Sequence, residues 1–204
     1  MRFKRAKLGF ILVILILLSV RLVKGYMDDV AAKENREKII EELNRKFDCE
    51  INQPQPTRQL IFKSVDTDNK RVKTDSENVI GKIVINKIDL NYPILEGSTK
   101  ENLNISITRF YGSKINTIGN CVLAGHNLKD GSLFGRISEL SENDKIILYD
   151  NLGKSKEYKI FSIKIVKPTD LSVLSQNTNN SCFVTLITCT NQGKSRLIVQ
   201  AKQI

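Results

Sequence analysis

Three residues carry the reactive chemistry of this chain. His126 is the only histidine among 204 residues, and it closes the run Asn120–His126, NCVLAGH. Cys189 closes a similar run, CFVTLITC, and Arg196 opens RLIVQA seven residues later. A thiol becomes a useful nucleophile near neutral pH only beside a cation or a base. One imidazole and one thiol, each at the end of a β-branched run, therefore form a candidate nucleophile–base pair. A hairpin between the last two runs would return Arg196 to the side of Cys189, where a guanidinium could donate to a developing oxyanion or a substrate carbonyl. Lys194 is near enough to compete for that role. Each residue also has a plainer reading: a structural histidine, a small core cysteine and a surface arginine.

The elements that must position these residues follow from texture. From Val79 onward, short β-branched runs alternate with turn residues. They predict strands at Ile80–Ile88, Tyr92–Leu95, Ile105–Tyr111, Asn120–His126, Lys145–Tyr149, Tyr158–Val166, Cys182–Cys189 and Arg196–Ala201. Short helical turns are expected at Thr99–Asn104 and Leu133–Leu140. Eight strands in a segment of this length predict an all-β barrel or sandwich. His126 and Cys189 would sit at strand ends, where the strand fixes the backbone and the side chain faces a cleft. Cys121 and Cys182 lie five and seven residues before His126 and Cys189. Both offsets are odd, so both thiols should point to the opposite face from the pair, into the core. A disulfide between them would need adjacent strands in register.

Before the barrel the chain changes character twice. Leu8 to Val20, LGFILVILILLSV, carries no charge. Thirteen residues span only ~20 Å of helix, so a crossing must extend to Val23 with Arg21 reaching for the interface. No small-x-small cleavage site follows, and residues 1–26 are read as a basic tip and an uncleaved transmembrane anchor. Arg2, Lys4, Arg5 and Lys7 place the N-terminus in the cytoplasm and the rest outside. Asp28–Asp48 lacks Pro and Gly and sets Ile39, Ile40, Leu43 and Phe47 at helical spacing, predicting an amphipathic helix. Ile51–Glu77, with Pro54 and Pro56, reads as an extended connector. The domain plan is thus 1–26 anchor, 27–78 helix and linker, and 79–204 barrel.

Composition excludes several classes. Charged residues make up 26% and hydrophobic residues 41%, a globular balance. The net charge is +10, but six basic residues and no acids lie within residues 1–24. Removing those six from the 32 basic residues leaves 26 against 22 acidic ones, so no nucleic-acid partner is expected. One histidine, with no CxxC or HExxH, offers no metal cluster, and no cofactor is expected.

At the reactive residues the sequence resembles a known family. Thr185-Leu186-Ile187-Thr188-Cys189 matches the TLxTC motif of the sortases. Ala124-Gly125-His126 matches the position of their catalytic histidine, and Arg196 that of their catalytic arginine. Gly81-Lys82-Ile83-Val84-Ile85 followed by Tyr92-Pro93-Ile94-Leu95-Glu96-Gly97 is similar to the opening of their barrel. The resemblance covers about residues 79–204, and the N-terminal anchor fits it.

The resemblance implies an eight-stranded sortase-type β-barrel and a cysteine transpeptidase of the Gram-positive cell surface. Such an enzyme cuts an LPxTG-like sorting signal through a Cys thioester. It then passes the surface protein to an amine of a peptidoglycan precursor or a pilin. On that basis Cys189 is the nucleophile, His126 the acid and base, Arg196 the oxyanion partner, and Thr188 a residue of the substrate site. The segment His126–Phe134, HNLKDGSLF, resembles class B sequences, as does the helix before the barrel. The short connection Lys167–Ser181 instead resembles class D or A. That connection has Asp170 as its one acid, and no calcium dependence is expected. The residues alone also leave open another thiol peptidase, or a membrane-tethered binding module for wall polymers with an inactive site.

Overall fold

The computed structural model describes residues 2–51 and 78–204. All of the expected connector except Ile51 lies outside these residues. Arg2–Ile51 forms one unbroken helix, α1, so the apolar run and the amphipathic stretch are a single element. No proline occurs before Pro54, and Gly9 and Gly25 each cost only ~1 kcal/mol in a helix interior. Among the described residues no helix is long and apolar enough to cross a membrane.

The chain divides into two compact units, Met1–Ile39 and Ile40–Ile204. In the first, apolar side chains from Ile14 to Val23 are exposed along the helix. In the second, the last turns of α1 bury Ile40, Leu43 and Phe47, residues at 3- and 4-residue spacing on one stripe. Lys82 fixes that stretch to the barrel. Its ammonium donates to Asp48 Oδ1 at 2.8 Å and lies 5.8 Å from the Phe47 ring centre and 5.6 Å from that of Tyr149.

The eight expected strands are all present: β1 Val79–Ile85, β2 Leu90–Glu96, β3 Ile107–Gly112, β4 Gly119–Ala124, β5 Lys145–Asp150, β6 Ser155–Val166, β7 Cys182–Thr190 and β8 Ser195–Gln203. They close into a barrel in the order β1-β2-β3-β4-β7-β8-β6-β5. The β2–β3 and β4–β7 pairs are parallel, and the others are antiparallel. The β2–β3 crossover carries a short helix, α2, Lys100–Ile105, capped by the Thr99 hydroxyl, which accepts from the Asn102 N–H.

Strand ends depart from expectation for local reasons. β1 stops at Ile85 because Asn86–Ile88 winds into a 3-10 turn that Asp89 closes in the left-handed region. In the expected turn at Leu133–Leu140 only Ile137–Glu139 winds helically. β4 stops at Ala124, two residues short of His126.

Alternation sorts each strand into two faces. Ile83, Ile85, Leu123, Leu148, Val184, Leu186 and Val199 point into the barrel and are fully buried. Cys121 and Cys182 belong to this inner set, as their odd offsets predicted, and both are free thiols. β4 and β7 are adjacent, but Cys182 pairs with Gly119 and Cys121 with Val184, so the two are not directly opposite. Burial pushes the Cys121 thiol up to about 12.

Candidate active site

The opposite face of β4, β7 and β8 carries the reactive residues. In the antiparallel β7–β8 ladder Cys189 pairs directly with Arg196, and side chains of such a pair share a face. In the parallel β4–β7 pair Ala124 lies beside Ile187, and the Gly125 N–H extends the ladder to the Ile187 carbonyl at 3.3 Å. One further step brings the chain at His126 alongside Cys189. Three neighbouring strands thus present imidazole, thiol and guanidinium on the outer surface of the barrel, in that order.

The path from Ala124 to His126 is shaped by Gly125. A Cβ there would lie 2.7 Å from Ile107 Cδ1 and 2.9 Å from Phe134 Cδ2, so the close approach to the core requires glycine. Beyond it the chain is held by an Asn127–Leu133 bridge and by the Phe134 N–H, which donates to the His126 carbonyl at 3.0 Å. The Leu133 N–H donates to Tyr92 Oη at 3.1 Å, tying the same loop to β2.

Two side chains lock the ends of β4 and β7 together. The Thr188 hydroxyl donates to the Gly125 carbonyl at 2.7 Å, and Thr188 is 2% exposed. Its hydroxyl is committed to that carbonyl, and Thr188 also belongs to the lining of the cavity that holds His126, Cys189 and Arg196. The Asn127 amide donates to the Cys189 carbonyl at 2.9 Å. Two strands that leave the ladder here are therefore still pinned at the residues that matter.

Arg196 is half-buried. Its Nη1 donates to the Gly193 and Ser195 carbonyls, both at 3.0 Å, which holds the guanidinium against the β7–β8 turn. Among the described residues no protein acceptor takes Nε–H or Nη2–H. Cys189 is exposed and His126 half-buried. Lys194, the rival cation, is exposed in that turn and is not part of the cavity lining.

These residues open on a cavity of about 380 Å³. Its floor is the outer face of the sheet: Ala124, Ile187 and Ile198 beside the reactive three. One wall is Ser98, Leu103 and Phe110. The other is the β6–β7 connection, with Lys167, Pro168, Asp170, Leu171, Val173 and Leu174. The Ser172 hydroxyl and N–H hold the Asp170 carboxyl below the usual carboxylate range. A mostly apolar groove with a few convergent polar groups at one end suits an extended peptide with apolar side chains. No group of three or more His, Cys, Asp or Glu among the described residues is placed to hold a metal.

The sequence singles out His126, Cys189 and Arg196 as candidates, and in the structure all three line one cavity. The sequence alone does not single out the wall at Leu171–Leu174 or the lock at Asn127. The available signal for the wall was three apolar residues, Leu171, Val173 and Leu174, in an otherwise polar connection. Asn127 offered none beyond its place after His126.

Known proteins match over the same strands. A family model described as a sortase domain matches residues 83–204. The chain is 37% identical to sortase A of Bacillus anthracis over 116 residues, which is 56% of this chain and 54% of that protein. It is 27% identical to sortase B of Staphylococcus aureus over 169 residues, 74% of this chain and 65% of that protein. Its alignments thus span about half to two thirds of the length of these curated relatives. Among solved structures, a Clostridium perfringens sortase D5 transpeptidase superposes with a TM-score of 0.63 at 30% identity, covering 83% of this chain and 98% of that one. Sortase A of Listeria monocytogenes superposes at 0.58 with 28% identity, over 62% of this chain and 88% of that one. The family match begins within β1 and runs to the last residue, so every strand that bears the groove lies inside it: this chain belongs to the sortase family.

Proposed function

We propose that this protein is a cysteine transpeptidase that cuts LPxTG-like sorting signals and transfers the surface protein to an amine. The observation that carries the reading is the shared outer face of β4, β7 and β8, where His126, Cys189 and Arg196 line one groove. Cys189 Sγ attacks the threonine carbonyl carbon of the bound peptide. Nε and Nη2 of Arg196 receive the oxyanion, and His126 protonates the departing amine as the C–N bond breaks. The thioester then waits for an acceptor amine. That amine gives its proton to His126 as it forms the new peptide bond, and the Cys189 thiolate leaves. A thioester retains much of the acyl reactivity of the starting bond, so the acyl group can pass to an amine rather than being lost at once to water.

Thr188 acts in this scheme by holding the Gly125 carbonyl and with it the approach of His126. The acceptor is a peptidoglycan-precursor or pilin amine. Leu8–Val20 with its basic flank is the membrane anchor, and the exposed apolar side chains from Ile14 to Val23 support that role. The barrel then works outside the cell beside the membrane. In the β6–β7 connection only Ser172–Leu174 is helical, which favours a class D or A type over class B.

The test uses the full chain in detergent with a library of LPxTG-like peptides. Mass spectrometry should find a thioester adduct on Cys189 that disappears in Cys189→Ala and releases a new amide on adding an amine. Adduct formation that survives Cys189→Ala, or no adduct with any peptide, overturns the reading.

A further inference from the structure

The apolar wall formed by the β6–β7 connection is held in place by two amide side chains remote from the reactive trio. Asn120 is the second residue of β4 and is buried. Its Nδ2 donates to the Val173 carbonyl at 3.0 Å and to the Ser175 carbonyl at 3.2 Å. Its Oδ1 accepts from the Thr185 hydroxyl at 2.8 Å, which itself accepts from Gln200 Nε2 at 3.4 Å. The Asn120 main chain is engaged as well. Its N–H donates to Gln176 Oε1 at 3.1 Å, and its carbonyl accepts from Gln176 Nε2 at 3.0 Å. The same Nε2 donates to the Leu174 carbonyl at 3.0 Å.

The clasp leaves no spare room. A Cβ on Gly112 would collide with the Asn120 carbonyl and the Gln176 amide, and one on Gly119 would lie 3.1 Å from Gln176 Oε1. Both glycines also have positive φ. Neither Asn120 nor Gln176 lines the groove, whereas Val173 and Leu174, whose carbonyls they hold, do. A connection with no sheet partner of its own is thereby fixed at the height at which its apolar side chains face Ala124 and Ile187.

We propose that Asn120 and Gln176 are positioning residues that set this wall, and so decide which apolar side chains of the peptide substrate the groove accepts. The substrate part rests on the transpeptidase reading above. The amides touch main-chain carbonyls of the wall rather than the thiol. Their loss therefore weakens peptide binding and selectivity without changing Cys189.

The experiment compares the full-chain protein in detergent with Gln176→Ala, Asn120→Ala, Thr185→Val and Thr185→Ser. Gln176 is exposed, so its variant folds even where Asn120→Ala does not. Three readouts are taken: steady-state cleavage of a peptide bearing Leu at its bulky apolar position and of its Ala analogue, the rate of Cys189 alkylation by iodoacetamide, and amide hydrogen exchange over residues 171–176. Gln176→Ala, Asn120→Ala and Thr185→Val should raise KM for the Leu peptide about tenfold and lower the Leu-over-Ala preference by a similar factor, the scale of one apolar pocket contact. Their kcat and alkylation rate should stay within about twofold. Exchange at 171–176 should quicken while β7 and β8 keep their protection. Thr185→Ser, which keeps the hydroxyl, should behave as the parent protein. Unchanged exchange at 171–176 overturns the clasp. Faster exchange with unchanged KM and preference overturns its role in substrate choice. A fall in kcat with alkylation slowed to match overturns it too, since the amides would then act on the thiol. If the parent protein acylates with no peptide, the transpeptidase reading and the substrate role fall together, and exchange at 171–176 alone decides the clasp.

Discussion

Replacing Thr188 by Val keeps the shape of the side chain and removes one hydroxyl. That hydroxyl is 2.7 Å from the Gly125 carbonyl in a buried site, so the carbonyl loses its donor. Leaving a buried acceptor unsatisfied costs ~1–3 kcal/mol. For a chain of this size each kcal/mol moves Tm by roughly 2–4 °C, so a fall of roughly 2–12 °C is expected. The second effect is on the reaction. Gly125 immediately precedes His126, and the hydroxyl is one of two side-chain ties between the ends of β4 and β7. Relaxation of that end displaces the imidazole from Cys189, and a displacement near 1 Å costs ~10²-fold in turnover. Thr188→Ser restores the donor with a small void and should recover most of both. The assay is calorimetry together with peptide cleavage on the parent, Val and Ser proteins. A Val protein with parental Tm and parental turnover would refute the reasoning. So would a Ser protein as damaged as Val, because the lost methyl rather than the hydroxyl would then be responsible.

Arg196→Lys should lose ~10²–10³-fold in kcat, because an ammonium keeps the charge but not the fork that spans the turn carbonyls and an oxyanion. Lys194→Ala, outside the groove, should stay near parental turnover, and the reverse pattern would show that the oxyanion partner is Lys194. In native protein iodoacetamide should modify Cys189 and the exposed Cys49 but neither Cys121 nor Cys182, and peptide mapping before and after urea reads this directly. Cys121 also predicts an alkaline weakness. Its pKa is raised from 9.0 to about 12 by burial, so its contribution is whole below pH 9 and is lost as pH climbs towards 12, where the unfolded thiol ionises first. At ~1.4 kcal/mol per unit the loss reaches at most ~4 kcal/mol, and urea midpoints at rising pH should flatten in Cys121→Ala.

The strands were legible because this barrel is built from alternation. Each run of β-branched residues has one face in the core, and the period of two survives in the text. Their ends were less legible. Whether β1 continues past Ile85 depends on Asp89 adopting a left-handed conformation, which an Asp permits and does not demand. Whether β4 reaches His126 depends on the crowding of Ile107 and Phe134 around Gly125, a contact between segments far apart in sequence. Composition changes near residue 26 and so suggests two pieces, but nothing at that junction breaks a helix, and Arg2–Ile51 is one element. The clasp at Asn120 escaped the reading altogether. An asparagine near the start of a strand is unremarkable until the partner carbonyls at Val173 and Ser175 are known, and these lie more than fifty residues away.

The same alternation gives the four cysteines their different fates. Cys121 and Cys182 sit an odd number of residues from His126 and Cys189 on the same two runs. A barrel turns that parity into inside against outside. The inner thiols are buried in the barrel, where burial holds Cys121 protonated and Cys182 accepts from the Lys156 ammonium at 3.5 Å. Cys189 meets a guanidinium across the β7–β8 ladder and the chain of an imidazole across the β4–β7 pair, on a face that solvent and a peptide can reach. A slip of one residue in the register of β7 would turn Cys189 towards the core and away from Arg196. The Thr188–Gly125 and Asn127–Cys189 hydrogen bonds oppose such a slip at the open end of the pair, where the ladder itself has stopped. Register and reactivity are therefore secured by the same contacts. A variant lacking both, Thr188→Val with Asn127→Ala, should lose more activity than the two single changes combined, because either tie alone still holds the strand ends. A double variant with merely additive losses would show that the ties act separately, and would leave the register to the core side chains alone.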